Sequence, residues 1–270
     1  MKIARLLSLA LVIGLVVSSC KKDPNPIDEE HVHNHENTND VVVNITNVAD
    51  NQIIQLSSDV PYTASTPKYV NANNDTFSVS ILKYYISNIK LKRPNGSYYV
   101  VPETYFLINA ADTINTCKFV LKDIPVENYI AIEFIVGVDS TRNCSGAQTG
   151  ALDPLNDMFW SWNQGYIFFK CEGYTGSAPH WGIPNIAYHI GGFIPPFNLI
   201  RWANVPFTST SLNVDQDHVS TIYLKANLLE AFRNQNVIDF SVSPAVTGGP
   251  VAKQLANNYS NMFVFSAIKH

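Results

Sequence analysis

The chain is poor in the residues that announce common chemistries. It has 4 cysteines in 270 residues and no C-x-x-C pair, which argues against a zinc knuckle or a thioredoxin-type redox motif. It lacks G-x-S-x-G, H-E-x-x-H and a phosphate-cradling G-x-x-x-x-G-K, so no standard hydrolase, metalloprotease or nucleotide site is written in it. Charged residues make up only 15%, with 18 Lys and Arg against 22 Asp and Glu. Without clustered cations the chain is no candidate for nucleic acid or for an anionic membrane surface. No apolar run reaches the roughly 20 residues of a spanning helix.

The N-terminus does carry a shorter run. Lys2 and Arg5 precede "LLSLALVIGLVV" at 6–17, followed by "VSSC". This reads as a secretory signal peptide over 1–19 that ends at a lipobox, with Cys20 as the lipid-bearing first residue of the mature chain. The expected protein is therefore a lipoprotein of the cell envelope, of the outer-membrane type, tethered to the bilayer through that lipid. Removing 1–19 takes away Lys2 and Arg5 and no acid, which moves the formal charge from −4 to −6. Cys117, Cys144 and Cys171 remain, an odd number. In an oxidising compartment at most one disulfide is expected among them.

Residues 20–39, "CKKDPNPIDEEHVHNHENTN", are polar and without apolar period, and read as a flexible tether. Within it His31, His33 and His35 alternate, so in an extended segment they point one way and could grip a metal ion; a solvated linker is the plainer reading. From 40 to 270 the chain is β-rich. "VVVNIT", "NQIIQL", "TFSVSILKYYISNIKLKR", "YFLIN", "CKFVLKDI" and "NYIAIEFIVGV" are full of β-branched and aromatic residues between turn signals. Asn95-Gly96 marks a two-residue hairpin turn. The expectation is an all-β chain, a β-sandwich with one or two short helices near the C-terminus, at 225–234 and 250–261. "MFVFSAIKH" reads as a last strand.

"MFWSWNQGYIFFKCEG" at 158–173 is the densest aromatic stretch. Read as an extended strand, it sets Trp160 and Trp162 on one face, with Gly165 as a bulge or a close backbone approach. Burial of aromatics on both faces of a central strand explains it without any function. Trp181 and Trp202 fall in loop-like surroundings. Asp139 and Asp153 stand beside glycine and proline and read as turn formers. Cys144 with a remote His189 could form a nucleophile pair, with a disulfide as the commoner outcome. His180, His189, His218 and His270 are the imidazoles of the domain. His189 precedes Gly191-Gly192, where a strand ends, and His270 is the terminal residue.

Together "LKYYISNIKL", "VGVDS", "DPLNDMFWSWNQGYIFFKCEG", "YHIGGF" and "NNYSNMFVF" resemble the MbnP-like domain family of exported proteins, in order from about 41 to 270. The W-x-W-x-x-G-Y-x-F core is Trp160, Trp162, Gly165, Tyr166 and Phe168. The form with "GVDS" and "HIGG" is similar to the lipoprotein branch found in Bacteroidota. The resemblance implies a copper-binding β-sandwich that is not itself an enzyme. It also implies a partner, a MauG-type dihaem peroxidase, that oxidises a tryptophan to kynurenine, here Trp160 or Trp162 with Tyr166 beside them. His189 is the family-like histidine, and His270, His33 and His35 would supply further copper ligands. Members with the copper site tend to carry histidines at positions matched here by Asn47 and Asn143. The alternative is a metal-free binding module for a glycan or a protein partner, with tryptophans at the rim stacking on sugar.

Overall fold

The computed structural model describes residues 37–270, apart from 115, 161–164 and 180–184. The strands that build the sandwich and the aromatic stretch, in chain order, are β1 (Thr38–Ala49), β2 (Thr76–Lys92), β3 (Tyr98–Val100), β4 (Tyr105–Asn109), β5 (Lys118–Pro125), β6 (Ala131–Val136), β7 (Phe159–Trp160), β8 (Gly165–Tyr166), β9 (Phe169–Thr175), β10 (Ile186–Ile190), β11 (Arg201–Pro206), β12 (Ser220–Asn227) and β13 (Phe263–Lys269). Helix α1 (Ser140–Cys144) lies between β6 and β7, and α2 (Leu228–Arg233) and α3 (Gly249–Tyr259) lie between β12 and β13. The all-β expectation with short C-terminal helices is met.

Two sheets form the sandwich. In one, β1 runs parallel to β12 and antiparallel to β5, and β13 flanks β12. In the other, the order is β11-β6-β2-β9-β10, and the long β2 also pairs with β3 and β4. The alternation along β1 explains its place: Val41, Val43 and Ile45 are buried, and the residues between them are not. From the facing sheet, Tyr84 of β2 and Phe134 of β6 pack their rings on Phe263 of β13, with centroids 5.7 and 4.9 Å apart. Tyr84 also crosses the core to donate its hydroxyl to Asn47 Oδ1 at 2.8 Å.

Several boundaries differ from the sequence reading. The helix expected at 225–234 begins at Leu228, because β12 continues through Asn227, whose side chain accepts from Leu229 N and turns strand into helix. The hairpin at Asn95-Gly96 has a three-residue loop. Arg93 N donates to Ser97 O, Asn95 Oδ1 accepts from Ser97 N, and Gly96 takes the left-handed conformation at φ +87°. Trp202 is on strand β11 rather than in a loop. Helix α1 is an element the sequence does not announce; Asp139 is its N-cap, accepting from Arg142 N. Asp153 likewise accepts from Leu155 N at a short turn, in line with its reading as a turn former.

Candidate functional site

The aromatic stretch is folded, not continuous. After Met158 the chain pairs antiparallel with itself, Phe159 facing Tyr166 and Trp160 facing Gly165, and only then enters β9. Gly165 allows this. Its φ is +87°, and a Cβ built on it would lie 2.3 Å from Asn143 Oδ1, so a side chain is excluded twice over. That close approach is the one the sequence suggests at Gly165. Asn143 on α1 uses it: Oδ1 accepts from Tyr166 N at 2.9 Å, and Nδ2 donates to Val138 O and Asp139 O at 2.6 and 2.9 Å. Tyr166 is buried, donates its hydroxyl to Leu152 O, and packs edge-on against Phe159 and Tyr85. Burial raises its phenol above the ordinary tyrosine range. The indole of Trp160 is 7% exposed and rests on Gly191, where a Cβ would come within 2.9 Å of Cζ3.

Two residues before Gly191 stands His189, at the same end of β10. In register it faces Lys170 of β9. Its Nε2 is 2.7 Å from Glu172 Oε1, and Lys170 Nζ is 3.5 Å from that same oxygen and 2.5 Å from Asp157 Oδ2. Lys170 is buried, so its ammonium is held by carboxylates on two sides, as a buried cation requires. The result is a continuous row of ion-paired and hydrogen-bonded side chains, Asp157–Lys170–Glu172–His189, beside the Trp160 hairpin. Sequence reasoning missed Lys170, Glu172 and Asp157. The signal was the alternation of Lys170 and Glu172 inside "FFKCEG", but its meaning depends on register with a strand further along the chain.

The other expected site residues are not gathered here. His270 follows β13 in the opposite sheet, its Nδ1 2.8 Å from Ser220 Oγ. Ser220 pairs with Val41 at the start of β1, whereas Asn47 and Tyr84 meet near its far end, about 20 Å along the strand. Tyr84 pairs with Phe169, next to the Lys170–His189 row, so His189 and His270 lie on different sheets and toward different ends. Asn47 and Asn143, singled out in the sequence through the family resemblance, are structural amides. Asn47 donates to Cys117 Sγ at 3.5 Å and accepts from Tyr84. Cys20, His31, His33, His35, Trp162, His180 and Trp181 lie outside the described residues.

Among the described residues no disulfide forms: Cys117 and Cys171 are buried thiols and Cys144 is an exposed one. No bridge joins these three: Cys117 immediately precedes β5 of the first sheet, Cys171 lies on β9 of the second, and Cys144 ends helix α1. Burial pushes the Cys117 and Cys171 thiols up, which leaves both inert as nucleophiles. Among the described residues, no three of His, Cys, Asp and Glu converge as a metal would need. The donor set in hand, one imidazole already bonded to one carboxylate, does not by itself fit a copper centre.

Comparison with known proteins adds the family to this architecture. The profile of the MbnP family matches residues 38–248. Among solved structures, MbnP from Methylosinus trichosporium aligns over 79% of this chain and 82% of its own, at 16% identity and a TM-score of 0.47. No curated protein matches. With the family profile spanning most of the chain, from the first strand of the sandwich to the residue before helix α3, the protein belongs to the MbnP family.

Proposed function

We propose that this is a binding protein, not an enzyme, anchored to the envelope through a lipid on Cys20, and that the Trp160–His189 end of β10 is its working surface. The observation that carries the reading is the seating of the Trp160 indole on Gly191, two residues from His189. An aromatic, an imidazole and an ion-paired row from neighbouring strands thus meet beside His189 and Gly191. Asp157, Lys170, Glu172 and His189 are satisfied by one another, which suits recognition better than proton transfer.

Copper is the first ligand this reading considers, with a MauG-type dihaem peroxidase as the partner that would oxidise Trp160 or Trp162. His189 is then the one imidazole of the described domain at the site, and the tether histidines His31, His33 and His35 are the donors that would complete it. The second reading is a metal-free module. It is supported by the full engagement of the Asn47 and Asn143 amides in the hydrogen bonds described above.

Metal analysis separates the two. The mature chain, loaded with Cu(II) and desalted, retains copper on the first reading, and retention falls in His189→Gln and in a chain lacking residues 21–36. Peptide mapping across Phe159 to Phe169 of native material then finds an oxidised tryptophan. Absence of retained copper in the mature chain removes the copper reading and leaves the metal-free module.

A further inference from the structure

The outward face of the second sheet, away from the Trp160 hairpin, presents aromatic rings to solvent. Lys90 of β2, Glu133 of β6 and Asn204 of β11 stand in one register row. Trp202 is two residues from Asn204, and Val100 of β3 faces Lys90, with Tyr98 two residues away. The alternate residues of these strands, Leu91, Ile132, Phe134, Ala203 and Val205, are buried in the core. Trp202, Tyr98 and Val100 are 47, 36 and 60% exposed, in a row where polar side chains would serve solubility better.

The two rings are held in place. Lys90 Nζ lies 3.7 Å from the Trp202 ring centroid and 5.1 Å from that of Tyr98, so the rings are at most about 9 Å apart. The Tyr98 hydroxyl donates to Glu133 Oε1 at 2.6 Å, and Glu133 Oε2 is 3.7 Å from Lys90. The patch is therefore preorganised before any ligand arrives, which lowers the entropic cost of binding.

We propose that this face is a carbohydrate-binding platform. The sugar rings lay their C–H faces on the sides of Trp202 and Tyr98 that Lys90 does not cover, and their hydroxyls bond to Lys90 and Asn204. The arrangement of charge selects this occupant over a protein. A protein hot spot is dry at its centre and polar at its rim. Here the Lys90 ammonium sits between the rings with its side chain 25% exposed, and a dry partner would strip its remaining water without replacing it. A ligand covered in hydroxyls can bond to that ammonium and still offer apolar faces to the rings. The proposal concerns a surface apart from the Trp160–His189 end and does not depend on copper.

Affinity electrophoresis of the mature chain tests it, with β-glucan, xylan, mannan or starch in the gel. At least one polysaccharide retards the native chain, and Trp202→Ala and Tyr98→Ala weaken that binding at least tenfold with the melting temperature unchanged. Asn204→Ala, exposed and outside the ring contacts, weakens it less and serves if a ring variant loses its fold. Lack of retardation in every gel overturns the proposal, as does retardation that Trp202→Ala and Asn204→Ala leave intact. Loss of a protein partner on Trp202→Ala, without polysaccharide retardation, overturns it in favour of a protein interface.

Discussion

At the scale of single residues, Gly165 and Gly96 form a natural pair. Both have φ +87°, but Gly96 has open space where a Cβ would go, and Gly165 has Asn143 Oδ1 at 2.3 Å. Gly96→Ala should cost about 1 kcal/mol from backbone strain alone. Gly165→Ala adds the loss of the Asn143–Tyr166 hydrogen bond and should cost about 3 kcal/mol. Urea denaturation of both variants measures the difference, and equal losses would show that Asn143 moves aside freely. The role of Gly165 as a close approach was legible in the sequence, because a lone glycine among large aromatics marks a point where a side chain has no room. What it approaches was not legible, since Asn143 sits on a helix too short to leave a pattern in the sequence.

At the scale of elements, helix α1 depends on Asp139, which also joins three parts of the chain. Its carboxylate accepts from the Tyr105 hydroxyl of β4 at 2.5 Å, from Asn88 of β2 at 3.0 Å, and from Arg142 N at 3.1 Å. Burial alone would raise its pKa, but the bonds from Tyr105, Asn88 and the α1 amides outweigh that and hold the carboxyl below the ordinary aspartate range. A depressed folded-state pKa stabilises the native chain above the unfolded pKa of aspartate, and that contribution fades as pH falls through the lower folded value. Asp139→Asn keeps a good N-cap and loses the charge. Its stability should therefore fall less steeply than the parent's below about pH 4. Thermal melts from pH 7 to 3 measure the two slopes, and parallel curves would assign the acid sensitivity to other groups. Asp139 reads as a turn former in the sequence, and a cap is a turn former with a helix after it. Five residues, Ser140–Cys144, are too few for an apolar period to reveal that helix.

At the scale of the whole molecule, the sandwich is pinned by Phe263 and Tyr84. Phe263 receives the rings of Tyr84 and Phe134 from the facing sheet, so Phe263→Ala opens a cavity between layers and should cost about 3–5 kcal/mol. Tyr84→Phe keeps the ring and removes only the donor to Asn47 Oδ1, a buried acceptor, and should cost about 1–2 kcal/mol. Chemical denaturation of both variants gives the order, and a larger loss for Tyr84→Phe would make the polar bond the main tie between sheets.

The division between what sequence and tertiary structure decide follows from range. Alternating β-branched and aromatic residues specify strands by themselves, because a side-chain period of two is a local property. So β1, β2, β6 and β13, both C-terminal helices and the sandwich class were open to reading. The row Asp157–Lys170–Glu172–His189, the distance of His270 from it, and the exposure of Trp202 beside Lys90 were not. Each depends on which strands become neighbours and in what register, and that is set by burial of the whole core rather than by any short segment.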